Sequence, residues 1–297
     1  MTDKKSSFIA IIGQTNAGKS TLLNTLIGKK VSIISHKVQT TRRKILGICI
    51  KDDTQLVFID TPGIFKAKNR LEKAMVQAAW DSIYDADQIV LIVDAAKNDL
   101  SVSLSVAEKF KETKKPRVLV LNKVDLLQKE KLLEIITKFA PLNFDHIFMI
   151  SATKGDGIGD LVQTLCQNSQ PGPWFYMEDQ SSDLSNQVQA EEMTREKIYE
   201  FLHQELPYSI HVVTQNFEIL PKGEIKITQS IVVERDSQRG IVLGERGAKL
   251  KTIGTSARKE MEALFGTKVH LFLHVTVDEK WQNRKSYYDQ QGLDFES

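Results

Sequence analysis

Gly13-Gln14-Thr15-Asn16-Ala17-Gly18-Lys19-Ser20-Thr21 is the stretch on which the reading of this chain turns. It satisfies the phosphate-loop pattern G-x-x-x-x-G-K-[ST] at every fixed position. Two glycines let the backbone curl until successive N–H groups face the phosphates of a nucleotide, and Gly13 and Gly18 stand where those bends fall. Lys19 then reaches the terminal phosphates and the Ser20 hydroxyl ligates Mg²⁺, at the positive end of a helix dipole. The flanks agree with this. Phe8-Ile9-Ala10-Ile11-Ile12 is a buried-strand run, and Leu22, Leu23, Leu26 and Ile27 recur at helical spacing.

Downstream, apolar runs at 45–51 and 55–59 read as a strand pair, and the second ends in Asp60-Thr61-Pro62-Gly63, a D-x-x-G arrangement. Asp60 is placed to hold Mg²⁺ through a water, and the Gly63 N–H to bond a γ-phosphate that is lost on hydrolysis. Thr41, in preference to Thr40, is the candidate to close on the same ion and phosphate. A further strand, 118–121, runs into Asn122-Lys123-Val124-Asp125. The Asp125 carboxylate can accept from guanine N1–H and the 2-amino group, which adenine does not offer, while Asn122 meets the 6-oxo edge and Lys123 lies along the base. Ser151-Ala152-Thr153-Lys154 follows the strand at 147–150 and resembles a loop whose backbone supports the guanine oxygen.

Each of these motifs follows a strand, as a crevice at the carboxyl ends of an open parallel sheet requires. Helices are expected at 72–83, 101–112, 129–138 and 158–165, so that strand and helix alternate. The order of motifs resembles that of the translation-factor-related GTPases. Where many such switches carry a water-orienting Gln after D-x-x-G, this chain has Ile64, and slow intrinsic turnover follows. Asn16 resembles a residue that coordinates K⁺ beside the phosphates in some GTPases, and it serves equally well as a loop-shaping side chain.

A chain of 297 residues is long enough for about two domains. The composition break at Pro171-Gly172-Pro173 and the acidic run at 178–183 place the first domain at 1–170 and a linker at 171–190, with Trp174-Phe175-Tyr176 as an anchor against one domain. The start lacks a signal-peptide core or a membrane span, which points to the cytoplasm. Cys49 and Cys166 have no disulfide or metal spacing. A net charge of +2 puts any case for nucleic acid on local clusters.

The second domain, 191–297, reads α-β-β-α-α-β, with strands at 209–218, 224–234 and 269–277 and helices at 194–202 and 255–264. Gly244-Glu245-Arg246-Gly247 between two helices forms a GXXG loop of the kind KH domains bring against a single-stranded RNA backbone. From 235 to 259 there are seven Lys or Arg against two acids, within a domain otherwise acidic. Arg246, Lys249, Lys251 and Arg258 are the candidate phosphate contacts, and Glu245 is an unexpected acid among them. Ile231, Val233, Ile241, Val242 and Ile253 could line a groove but read more safely as core.

Together the halves resemble the Era family of bacterial GTPases over nearly the whole chain, through Val38-Gln39-Thr40-Thr41-Arg42, Glu205-Leu206-Pro207-Tyr208-Ser209 and residues 247–254. The chain departs at Gln14-Thr15 and Ala17, where the family more often has Arg-Pro and Val. The resemblance implies an α/β P-loop GTPase domain with a doubly wound, mostly parallel sheet bearing one antiparallel strand, followed by a smaller α+β type II KH domain. It further implies a monomer that takes GTP and GDP and grips the single-stranded 3′ region of 16S rRNA in 30S subunit biogenesis. Peripheral contact with the inner membrane surface is part of the same expectation. Closure of Thr40-Thr41 and Asp60 to Gly63 on GTP would make the KH face available. The competing reading is a switch whose second domain docks a protein or membrane partner.

Overall fold

The computed structural model describes residues 4–296 apart from 36, 38, 39 and 203–205. Val38, Gln39 and Glu205 of the segments quoted above therefore lie outside the described residues. The chain divides into two units, Met1–Ser32 with Thr41–Asp183 and Asp289–Ser297, and Ile33–Thr40 with Leu184–Tyr288.

In the first unit, β1 (Lys5–Ile12) is followed by α1 (Lys19–Ile27), β2 (Ile45–Lys51), β3 (Thr54–Asp60), α2 (Arg70–Asp85), β4 (Gln88–Asp94), α3 (Ser101–Lys109) and β5 (Arg117–Asn122). Then come α4 (Lys129–Phe139), β6 (His146–Ile150), α5 (Ile158–Gln167) and the two-residue β7 (Gln170–Pro171). The sheet runs β2-β3-β1-β4-β5-β6. Its strands are parallel except β2, antiparallel to β3, and β7, antiparallel to β1. The second antiparallel strand was not anticipated, because two residues ending in proline carry no periodic signal. Strands β1, β3, β4 and β5 are buried through their apolar positions, as strands covered on both faces must be. Register brings Asp60 beside Ile11 and Asp94 beside Asn122, so the polar strand ends share one edge.

Helix α2 starts where the Asn69 side chain accepts from the Glu72 N–H at 2.9 Å. It buries Leu71, Ala74, Met75 and Ala79 at helical spacing. The first part of the expected linker at 171–190 is held by the first unit. Gln55 holds Phe175 N–H and Tyr176 C=O, each at 2.9 Å, and the Phe175 ring packs 5.2 Å from Phe8. Asp183 then accepts from Leu46 N–H at 2.9 Å, so residues 171–183 line the first sheet. A polar, proline-rich run reads as tether when its partners are distant backbone groups.

The second unit contains α6 (Asn186–Phe201), β8 (His211–Ile219), β9 (Ile225–Val233), α7 (Asp236–Leu243), α8 (Ala248–Phe265) and β10 (Val269–Val277), with α9 (Lys285–Gln291) after them. Strand β9 pairs antiparallel with β8 and parallel with β10. Ile231, Val233, Val242 and Ile253 are fully buried and belong to the core with Ile198 and Val212, whereas Ile241 is half exposed. The tail after α9 also has partners in the first unit. Gln291 accepts from Arg43 Nε at 3.2 Å and the Arg70 guanidinium lies 4.6 Å over the Phe295 ring, so the tail packs within the first unit.

Candidate nucleotide and RNA sites

The loop from Gly13 to Ser20 joins β1 to α1, and its glycines are fixed by their surroundings. A Cβ on Gly13 would fall 2.4 Å from the Ile92 carbonyl oxygen. Gly18 has φ 100°, and a Cβ there would lie 2.2 Å from Asn122 Nδ2. No side chain caps α1, which leaves its first N–H groups for an anion. The buried Lys19 ammonium donates to Gly13 C=O at 3.1 Å and Gln14 C=O at 2.9 Å, inside the curl of the loop.

Asp60, Ser20 and Thr41 meet beside it. Ser20 Oγ lies 2.9 Å from Asp60 Oδ2 and 3.0 Å from Thr41 Oγ1. Thr41 Oγ1 is 3.4 Å from the same carboxylate oxygen, and Asp60 is fully buried. Asp60 Oδ1 has no hydrogen-bond partner among the described residues. An all-oxygen donor set with one unpartnered buried carboxylate oxygen fits a hard dication such as Mg²⁺. Burial pushes the Asp60 carboxyl up, against the downward pull of the Lys19 ammonium and the surrounding hydroxyls.

Thr61, also fully buried, donates its hydroxyl to Ile11 C=O at 3.0 Å, and Pro62 is buried behind it. These two residues place Gly63 and contribute no side chain to the crevice. Gly63 sits so tightly that a Cβ would come within 2.6 Å of Thr15. The next residue, Ile64, donates its N–H to Gly13 C=O at 3.0 Å and buries its side chain in the core. Its position therefore supplies neither a side chain nor an N–H to orient water.

At the base end the side chains named in the sequence also bind protein groups. Asn122 is buried; its Nδ2 donates to Ala17 C=O at 2.9 Å and its Oδ1 accepts from Ala152 N–H at 3.0 Å. It braces the phosphate loop against the 151–154 loop. Lys123, at φ 65°, pairs with Asp94 at 2.6 Å. Asp94 was not singled out in the sequence, although its place at the end of a central strand was a signal. Val124 and Asp125 form a short helical turn, and Lys154 Nζ lies 3.6 Å from the Asp125 carboxylate. A hydrogen bond from the Ser151 side chain, with Lys154 beside it, holds the Asp125 carboxyl below its usual range. Thr25 Oγ1, on α1, reaches Ala152 C=O at 2.8 Å, and Thr153 is exposed.

Lys19 carries a pH consequence. Burial lowers its pKa from the ordinary 10.5 to about 8, with Asp60 opposing and Lys97 reinforcing the shift. Between those values the unfolded chain holds a proton that the folded chain does not, so this group's contribution to stability rises with pH there. Phosphates reverse the preference. GTP binding above pH 8 is expected to take up about one proton and to weaken about tenfold per pH unit. Calorimetry at pH 9 in buffers of different ionisation heat reads this, and heats independent of buffer would refute it.

In the second unit, Gly244, Arg246 and Gly247 all have positive φ, at 70°, 47° and 79°. The two glycines differ in what they permit. A Cβ on Gly244 would strike Lys249 Cβ at 2.7 Å, whereas one on Gly247 meets nothing within 4 Å. Gly247 borders a groove of about 390 Å³ with Lys251, Gly254, Arg258, Leu271 and Leu273. Glu245, Arg246 and Lys251 are exposed, Lys249 is half-buried, and Arg258 pairs with Glu262 at 3.7 Å. The groove thus joins an apolar wall to a cationic rim, which suits a single strand with its bases inward.

A phosphate loop, a buried cluster of oxygen donors and a carboxylate following the fifth strand share one sheet edge, the arrangement expected of a guanine-nucleotide switch, here carried with a GXXG module. Family comparison agrees with both halves: residues 8–123 match the 50S ribosome-binding GTPase family and residues 205–282 the KH domain. GTPase Era of Mesorhizobium japonicum is 48% identical over 98% of this chain and 94% of its own length, and that of Maricaulis maris 44% over 99% of each. The crystal structure of Era in complex with MgGDPNP and nucleotides 1506–1542 of 16S ribosomal RNA is 36% identical, with a TM-score of 0.90 over 97% of this chain and 99% of that one. Aquifex aeolicus Era bound to GDP·AlF4⁻ is 35% identical with a TM-score of 0.91. The chain belongs to the GTPase Era family.

Proposed function

We propose that the chain binds and hydrolyses GTP with Mg²⁺ and couples that cycle to binding of the 3′ region of 16S rRNA in 30S subunit biogenesis. The observation that carries this is the likeness, over nearly the full length of both chains, to a relative solved with a magnesium-bound GTP analogue and a 16S rRNA segment together. The described residues support a G domain that extends through Asp183 and a KH domain built on β8, β9 and β10.

Ser20 and Thr41 would hold the ion directly and Asp60 through water. There it would offset negative charge on the β- and γ-phosphates. Lys19 and the uncapped start of α1 bind the same phosphates, and Gly63 is positioned to report the γ-phosphate. With Ile64 buried in the core, orientation of the attacking water falls to backbone groups or a partner, consistent with slow intrinsic turnover. Asn16 has φ 63°, a left-handed conformation that asparagine tolerates, which supports its loop-shaping reading. K⁺ coordination by the same side chain is an added proposal. A monomer acting in the cytoplasm, with peripheral contact to the inner membrane surface, is proposed on the family resemblance; among the described residues no helix is long and apolar enough to cross a membrane.

RNA binding is tested at Gly247, because Gly244→Asp would strike Lys249 and disturb the loop itself. Gly247→Asn and Gly247→Asp share the backbone conformation and differ in charge. Against a single-stranded RNA copying the 3′ end of 16S rRNA, Asp is expected to weaken binding about 10- to 100-fold more than Asn, with the salt slope reduced by about one. GTP affinity should be unchanged in both. Equal RNA affinities for the two variants, or affinity indifferent to salt, would leave a protein-docking module in place of an RNA-binding one. Affinity equal with GTP analogue and GDP would refute the coupling.

A further inference from the structure

Asp60 Oδ2 receives three hydroxyls, and one of them belongs to no nucleotide motif. Ser32 Oγ donates to it at 2.8 Å from a side chain that is almost wholly buried. The other two, Ser20 and Thr41, are the candidate ion ligands, whose oxygens would share a lone pair with a cation while their O–H groups donate to Oδ2. Ser32 has no such second duty.

Its position is set from α1. Asn24, one helical turn beyond Ser20, accepts from Val31 N–H and Ser32 N–H through Oδ1, both at 2.9 Å, and donates from Nδ2 to Ser32 C=O at 2.8 Å. The helix that opens with Lys19 and Ser20 therefore also places the hydroxyl that holds Asp60. Rotation of a carboxylate about its terminal torsion is otherwise broad. Pinning Oδ2 leaves Oδ1, which has no hydrogen-bond partner among the described residues, available to accept from a water on the ion.

We infer that Ser32, clamped by Asn24, is a positioning residue for Asp60 that sets Mg²⁺ affinity in the nucleotide complex. This rests on the reading of Asp60 as the carboxylate on the metal side. Removing a partner of a direct metal ligand typically changes metal affinity 10- to 100-fold, and Ser32, behind a carboxylate that meets the ion through water, belongs at the lower end of that range. A Ser32 that merely satisfies a buried acid would alter stability and leave the metal dependence alone.

The test is dissociation of a fluorescent GDP analogue from the full chain across a Mg²⁺ titration, for wild type, Ser32→Ala, Ser32→Thr and Asn24→Ala. In Ser32→Ala and Asn24→Ala the Mg²⁺ midpoint for nucleotide retention is expected to rise about tenfold. Ser32→Thr, which keeps the hydroxyl, should stay within about threefold of wild type, and release in excess EDTA should be the same for all four. A wild-type midpoint in Ser32→Ala, or an equal acceleration in EDTA, overturns the positioning role. Wild-type retention that ignores Mg²⁺ overturns the metal reading of Asp60 instead.

Discussion

Asp125→Asn is expected to weaken GTP binding by about 10³- to 10⁴-fold while making xanthosine triphosphate the better ligand. The carboxylate presents two acceptors to the N1–H and 2-amino donors of guanine. An amide of the same shape replaces one acceptor with an N–H that faces the 2-amino group, leaving two donors opposed in a partly buried site. Xanthine carries an oxygen at that position and restores the pairing. Ser151 and Lys154, which hold the Asp125 carboxyl below its usual range, still offer donors to the remaining amide oxygen, so the loop has no cause to unfold. Because this carboxyl's folded pKa is depressed, its contribution is present above the unfolded value near 4 and is lost only as pH falls through the lower folded one. Competition between the two nucleotides in equilibrium binding reads the change. Equal loss of both would indicate local collapse of the loop and refute a base-reading role.

Asp125 is a candidate in the sequence because its chemistry and its place after a strand are both local. The same holds for Lys19, Asp60 and Gly63, whose spacing encodes a loop and a strand end. Asn122 shows where local reading stops. Its motif suggests a base contact, yet its engaged oxygen and one of its donors serve Ala152 and Ala17, which lie 30 and 105 residues away. Lys123 likewise finds Asp94 across the sheet edge, and Ser32 finds Asp60. None of these pairs has a period or fixed interval that a single chain reveals. The partners of the segment at 171–183 and of the tail after α9 are hidden for the same reason: polar composition announces a surface run but says nothing of the groups it will meet. In the KH half, the GXXG tetrad was legible, but only the geometry separates a glycine the loop itself needs, Gly244, from one with open space beside it, Gly247.

Asn122 makes Gly18 the more damaging of two left-handed glycines on the same helix. Gly18 and Gly28 flank α1, with φ of 100° and 71°. Alanine at either must adopt a conformation that costs about 1–2 kcal/mol for an L-residue. At Gly28 nothing lies within 4 Å of the added Cβ, so that strain is the whole effect. At Gly18 the Cβ would sit 2.2 Å from Asn122 Nδ2. A flexible surface side chain would swing aside, but this amide is buried between two hydrogen-bonded loops, and moving it leaves Ala17 C=O or Ala152 N–H unpaired at about 1–3 kcal/mol each. The bound phosphates demand the strained loop conformation, so the cost should fall on nucleotide binding. A total near 4 kcal/mol corresponds to about 10³-fold in GTP affinity for Gly18→Ala. Gly28→Ala should bind GTP as wild type and lose only about 1 kcal/mol in denaturant unfolding. Equal GTP affinities for the two variants would show that Asn122 can yield, and that the phosphate loop and the base-reading loop are not joined through it.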